Sequence, residues 1–296
     1  MTTDRHSTTL MFGVGATKAG TSWLHSQLQA HPQCHLKTIK ELHYFSLTTP
    51  QQVARALKTA ESDAEAARQK ARVAGPDKRD YAARRAADLT AWCGVLQAGL
   101  GAQDRYLDYL QQGRGERRLI GDVTPGYSLL APETLTMMSR LAPDVRFVYL
   151  MRDPVERLWS HVRMVCARAD RGNFADGALH LLTAILDGQH SNEIDGILKR
   201  GDYSAILDRL AQAVPHSTLL TVFYEDMFAP GGLTELCDFL GITPVEPVAE
   251  AKVHAGVPLT MPPDLRKRAQ VFLQHQYHAV ERRMGTIPAK WAMNRL

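Results

Sequence analysis

The sequence predicts an α/β fold: a mainly parallel sheet flanked by helices, with an anion-binding loop after its first strand. Three observations lead there. Short apolar runs rich in branched and aromatic residues alternate with longer helical patterns, and that alternation implies parallel strands joined by crossovers. The first run leads directly into "GVGATKAGTS", Gly13–Ser22, a glycine frame at the start of a helix. Another run, "VRFVYLM", ends just before Arg152 and is followed by "DP", a helix-start signal.

The elements follow in order. A strand is expected at about Thr9–Val14, then the glycine loop, then a helix from near Gly20 that Pro32 stops. "CHLKTIKELHYF" reads as a second strand and turn. From Pro50 to about Gly113 the texture changes to Ala, Arg, Glu and Gln, giving two helices separated by "GPD". Their arginines, Arg55, Arg68, Arg72, Arg79, Arg84 and Arg85, suit a solvated face. "RRLIGDVTPGY" is a short strand ended by Pro125. Val145–Met151 is a buried strand, and Thr218–Glu225 another. Helices are expected at about Pro132–Leu141, Pro154–Ala169, Asp202–Ala213, Leu233–Leu240 and Pro263–Met284, with Val271, Phe272 and Tyr277 of the last packed on the sheet. With no internal repeat and no clear two-domain break, one domain is expected over residues 1–296, with residues 50–113 as a helical insertion covering the acceptor site.

Composition narrows the function classes. A net charge of +4 over 296 residues is too small to imply nucleic acid, but it suits a locally held anion. Cys34, Cys93, Cys166 and Cys237 lack metal-ligand or disulfide spacing and read as buried thiols in a reducing compartment. The N-terminus carries no apolar signal core and no apolar run reaches membrane-spanning length, so a cytoplasmic protein is expected, with no metal.

From Gly15, the loop matches G-x-x-x-x-G and then fails: Thr21 stands where a triphosphate-binding loop needs lysine. The lysine is Lys18, on the outward arc of the loop. If the loop joins a strand to a helix, the amides near Gly20–Trp23 converge on one spot at the positive end of the helix dipole. Thr21 and Ser22 add hydroxyl donors. Lys18 then reaches the atom linking a bound phosphate to the group being transferred.

A second anion signal lies in "RDPVERLWSHV". Arg152 ends a strand where open α/β sheets bind ligands. Asp153, Pro154 and Glu156 read as a variant capping box. Ser160 comes close to two helical turns after Asp153, so it projects from the same side. Arg152 and Ser160 therefore converge on one anion, unless Arg152 serves a structural pair with glutamate. Two phosphate pockets at two strand ends suggest phosphates on both sides of a nucleoside.

These residues resemble the sulfotransferase family, which uses 3′-phosphoadenosine 5′-phosphosulfate (PAPS). "TKAGTSWL" resembles its 5′-phosphosulfate loop and "RDPVERLWSHV" its 3′-phosphate segment. "KELHYF" is similar to the lysine–glutamate–aromatic element of the carbohydrate-type, heparan sulfotransferase-like branch, and the chain looks like a bacterial-type member of it. "GDVTPGY", "RGDYSAILDRL", "FYEDM" and "DFLGI" follow in the family's order. The resemblance implies that Lys18 contacts the bridging oxygen of PAPS. Ala19, Gly20, Thr21, Ser22 and Trp23 would hold the 5′-phosphate, Arg152 and Ser160 the 3′-phosphate. Tyr203 lines the nucleotide pocket or packs in the core. Glu41 would take the proton of an acceptor hydroxyl. His43 complicates that assignment, since the small-molecule branch uses histidine as base. Two residues apart on an extended strand, both would share one face.

Two features depart from the branch. Val123 stands where a lysine would follow the acidic residue at Asp122, which weakens the case for a polyanionic glycan. "KVHAGVP", from Lys252, lacks a clean glycine–arginine pattern for a loop closing over PAPS. Glu225 and Asp226 read as caps of the next helix. The implied acceptor is a hydroxyl on a small molecule, sugar or glycolipid. The competing readings are a kinase with a degenerate loop, opposed by the displaced lysine, and a nucleotide-binding scaffold, opposed by the intact Lys18, Glu41, Arg152 and Ser160.

Overall fold

The computed structural model of the chain describes residues 8–169, 173–246 and 256–296. Strand β1 (Thr9–Gly15) is followed by helix α1 (Thr21–Ala30) and a short β2 (Cys34–Leu36). Helices α2 (Pro50–Val73), α3 (Pro76–Gln97) and α4 (Gln103–Gln111) come before β3 (Leu119–Val123) and α5 (Pro132–Met138). Then β4 (Val145–Met151) leads into α6 (Pro154–Arg168), α7 (Phe174–Leu186), α8 (Asn192–Lys199) and α9 (Tyr203–Ala213). The edge strand β5 (Leu219–Phe223), α10 (Thr234–Leu240) and α11 (Pro263–Met284) complete the order.

The sheet is parallel throughout, in the order β2-β3-β1-β4-β5. The chain leaves β1 for the β2 edge, returns through β3, then crosses to the other side of β1 as β4. That reversal puts the carboxyl ends of β1 and β4 side by side, where open α/β sheets form a ligand crevice. Continuous apolar runs let β1 and β4 be buried on both faces. Phe12 and Phe147 pack at 5.5 Å between ring centroids, with Phe45 and Tyr127 edge-on to Phe12.

Residues 50–113 hold a long pair of helices, α2 and α3. Thr49 caps α2 in a reciprocal capping box with Gln52, and Pro50 takes the first helical position. Ala60, Ala64 and Ala67 repeat at helical spacing on the buried face of α2, and such small side chains let it lie close to α3. A third helix, α4, lies within the stretch expected to hold two. Helices α7 and α8 also fall where no element was expected.

Several expectations need correction. Of the strand and turn expected over residues 34–45, the strand ends at Leu36, and Glu41 (φ 65°) and His43 (φ 56°) are left-handed and so do not lie on an extended strand. Glu225 does not cap the next helix: its Oε1 accepts from the Asp153 backbone N–H at 3.0 Å, and α10 begins only after Leu233. Asp226 sits in the turn after β5, not at a helix start. Val271 does not pack on the sheet but is 63% exposed, whereas Tyr277 is buried. Residues 252–255 of "KVHAGVP" lie outside the described residues.

Candidate active site

The carboxyl ends of all five strands contribute to one region. After β1, the loop closes through a bond from the Ala19 N–H to the Ala16 carbonyl (3.1 Å), with Lys18 left-handed at its apex. Gly20 (φ 92°) is the N-cap of α1 and no side chain caps the helix. The first-turn amides of Thr21, Ser22 and Trp23 therefore remain as donors beside the positive end of the dipole. Gly20 is required for a second reason: a Cβ there would fall 2.4 Å from the Tyr224 ring.

Arg152 follows β4, half-buried, with its guanidinium 5.0 Å from the centre of the Tyr224 ring. It does not pair with Glu156, which accepts from Arg266 at 2.7 Å. The capping box is half formed for the same reason. Asp153 accepts from the Glu156 N–H at 3.0 Å, while the Asp153 N–H turns to Glu225. Ser160 is half-buried two turns along α6. Burial lowers the Lys18 ammonium from its ordinary value, and the charges of Arg168, Arg152, Arg163 and Lys40 lower it further. Five cations, Lys18, Lys40, Arg152, Arg163 and Arg168, thus share one field, an arrangement that favours an anion.

Arg163 and Arg168 were not anticipated from the sequence. Their signal was their position on α6, three and eight residues beyond Ser160. Tyr224 and Phe228 were also missed. The Trp23 and Phe228 rings lie 4.8 Å apart, and Tyr224 meets Phe228 at 4.9 Å, forming an aromatic wall beside Gly20 and Arg152. The signal was an aromatic pair just past a strand end.

Comparison with known proteins settles the family. The family model described as "Sulfotransferase family" matches residues 11–247. The chain belongs to the sulfotransferase family. A solved sulfotransferase from Alicyclobacillus acidocaldarius superposes with a TM-score of 0.63 at 21% identity, covering 95% of this chain and 98% of that one. The sulfotransferase domain of the Synechococcus PCC 7002 olefin synthase gives 0.49 at 20% identity, over 92% and 97% of the two chains. The sulfotransferase domain from the curacin biosynthetic pathway gives 0.48 at 19%, over 81% and 75%. No curated protein matches the sequence. No described helix of this sulfotransferase is long and apolar enough to cross a membrane.

In the sulfotransferase, Glu41 and His43 meet even though they are not on a strand. Consecutive turns through left-handed backbone bring His43 Nε2 within 3.7 Å of Glu41 Oε2. Lys40 Nζ lies 2.5 Å from Glu41 Oε1. Burial acts to raise the Glu41 carboxyl, but the His43 hydrogen bond and the Lys40 charge outweigh it and hold the group at about 2. The Glu41 N–H donates to the Val123 carbonyl at 3.1 Å, which ties this segment to the end of β3. His43 packs over Gly126, where a Cβ would sit 3.2 Å from its ring.

Helix α3 holds the same segment from another side. Asp88 accepts from both the N–H and the hydroxyl of Thr38, and Arg85 donates to the Thr38 carbonyl at 2.9 Å. Arg85 is thus a structural donor rather than part of a purely solvated face. Beneath, buried Asp122 accepts from the hydroxyls of Thr124, Tyr127 and Tyr106. Burial raises its carboxyl, and those three donors oppose the rise.

Tyr203 is fully buried behind Arg152. Its hydroxyl donates to the Arg152 carbonyl at 2.6 Å and accepts from the Arg152 N–H at 3.0 Å. The structure thus places Lys18, Ala19, Gly20, Thr21, Ser22 and Trp23 on the turn and helix start after β1, Arg152 and Ser160 on the turn and helix after the adjacent β4, and Tyr203 one layer back.

Proposed function

We propose that this sulfotransferase moves the sulfuryl group of PAPS to a hydroxyl of a small-molecule, sugar or glycolipid acceptor. The observation that carries the reading is the pairing of two anion sites at the adjacent ends of β1 and β4. One is an uncapped helix start with Lys18 at the loop apex; the other is Arg152 with Ser160. A nucleotide with phosphates on both sides of its ribose matches that pairing.

In this reading the α1 amides and the Thr21 and Ser22 hydroxyls hold the 5′-phosphate, while Arg152 and Ser160 hold the 3′-phosphate. The wall of Trp23, Tyr224 and Phe228 offers a stacking face for the base. Lys18 stabilises the charge that develops on the oxygen between phosphorus and sulfur as that bond breaks. Glu41 accepts the hydroxyl proton as the new oxygen–sulfur bond forms, and His43 orients it. The lysine–glutamate pair is the feature that favours the carbohydrate-type branch. Residues 50–113 are the acceptor wall, since they hold the segment that carries Glu41.

The test is incubation of the protein with radiolabelled PAPS and a panel of hydroxyl acceptors extracted from the source organism. Label in a product formed by the wild type and absent with Lys18→Ala supports the reading. Nucleotide binding without transfer to any acceptor supports a non-catalytic binding protein instead.

A further inference from the structure

Arg157 lies on the first turns of α6 and is only 2% exposed. No carboxylate among the described residues pairs with it. Its Nη1 lies 3.4 Å from His161 Nδ1, and its Nε finds no hydrogen-bond partner among those residues. Burial and the Arg157 charge push the His161 imidazole down to about 3, so at neutral pH it is an uncharged acceptor for that N–H. Burying a cation without a counter-charge is costly, and stability alone would favour an apolar side chain of similar volume. The position calls for another explanation.

The guanidinium lies flat against Gly201, where a Cβ would fall 1.9 Å from Nη2. Gly201 is the pivot of the turn between α8 and α9. Its N–H donates to the Leu198 carbonyl at 2.9 Å, and its own carbonyl accepts from the Tyr203 N–H at 3.0 Å. Tyr203 then brackets the Arg152 peptide from both sides, at 2.6 and 3.0 Å. A continuous contact path runs from the Arg157 guanidinium through the Gly201 turn and the Tyr203 hydroxyl to the backbone from which the Arg152 side chain emerges. The Arg157 charge, itself buried and so poorly screened, is also felt by Arg152.

We propose that Arg157, Gly201 and Tyr203 are positioning residues that set the Arg152 guanidinium for the 3′-phosphate and so determine preference for nucleotides that carry it. The inference rests on the reading of Arg152 as the 3′-phosphate ligand. It goes further in assigning the discrimination to a buried clamp that touches no substrate.

The experiment is calorimetric titration with 3′-phosphoadenosine 5′-phosphate and with AMP, which lacks the 3′-phosphate. It compares the wild type with Tyr203→Phe, Arg157→Met and Arg157→Lys. The expected result is a drop of about tenfold in the ratio of the two affinities for Tyr203→Phe and Arg157→Met, the scale of one charge-linked hydrogen bond. AMP binding stays within about twofold, and Arg157→Lys recovers part of the ratio. An unchanged ratio in variants that melt cooperatively overturns the proposal. So does equal weakening of both ligands, which is what a merely structural role produces. If Arg157→Met does not fold, Tyr203→Phe decides. A wild type that binds both nucleotides equally overturns the 3′-phosphate reading itself, whatever the variants do.

Discussion

Lys40 and Glu41 are chain neighbours whose side chains also pair, Nζ to Oε1 at 2.5 Å, where the segment after β2 crosses the end of β3. The pair sets a tension in the proposed chemistry. A carboxylate held at about 2 is ionised at neutral pH but is a weak proton acceptor. Removing Lys40 strips a stabilising charge from it. With Lys40→Met, the acidic limb of the kcat profile should move up by about one pH unit. A limb that does not move would separate Glu41 from the titration that limits turnover.

Replacement of the two candidate bases distinguishes them. Glu41→Gln keeps the size and removes the proton acceptor, and kcat should fall by about 10²–10⁴-fold. His43→Ala should cost less, because the histidine acts through Glu41. Near-full turnover in Glu41→Gln together with loss in His43→Ala would move the base to His43.

Gly20→Ala should destabilise the folded protein by about 1–3 kcal/mol, read by urea melts. The backbone there is left-handed, and the new methyl would meet the Tyr224 ring. Tyr224 carries Arg152 on its face, so nucleotide binding should weaken as well. Full stability in the variant would mean that the loop relaxes away from Tyr224.

Stability should fall as the solution is acidified below neutral. Burial pushes His25 down to about 4 and His161 down to about 3, so the folded protein holds both neutral. Their contribution is complete above the unfolded histidine value near 6.5. It is lost between there and the folded values, at about 1.4 kcal/mol per pH unit for each histidine. Asp122 and Asp153, which burial raises, act in the opposite sense within the carboxylate range. Urea melts between pH 7 and 5.5 therefore read the histidines. A flat profile there in the wild type, or an unchanged slope in His161→Phe, would contradict the assignment.

Legibility in the sequence varied with the kind of signal. The bounds of β4 and of α11 were readable because each has one dominant pattern, a branched apolar run or a long helix opened by proline. The tight turn from β1 into α1 was readable because glycine spacing reflects backbone geometry. The placement of Glu41 and His43 was not, since left-handed backbone at non-glycine residues leaves no trace in alternation. Their meeting was anticipated, but by the wrong geometry. The partner of the Asp153 N–H was hidden too. Glu225 lies 72 residues away, and only the sheet order brings β4 and β5 together. Helices α7 and α8 were legible in principle: Ala178, Leu181, Leu182 and Ile185 in one, and Ile194 and Ile197 in the other, recur at helical spacing on the buried face.

The most direct test of the central claim is thermal unfolding with nucleotide and without added magnesium. 3′-Phosphoadenosine 5′-phosphate at a hundredfold excess over its Kd should stabilise the protein by about 2.7 kcal/mol, and Arg152→Ala should abolish most of that gain. No shift with that nucleotide, together with a magnesium-dependent shift with ATP, would contradict the account.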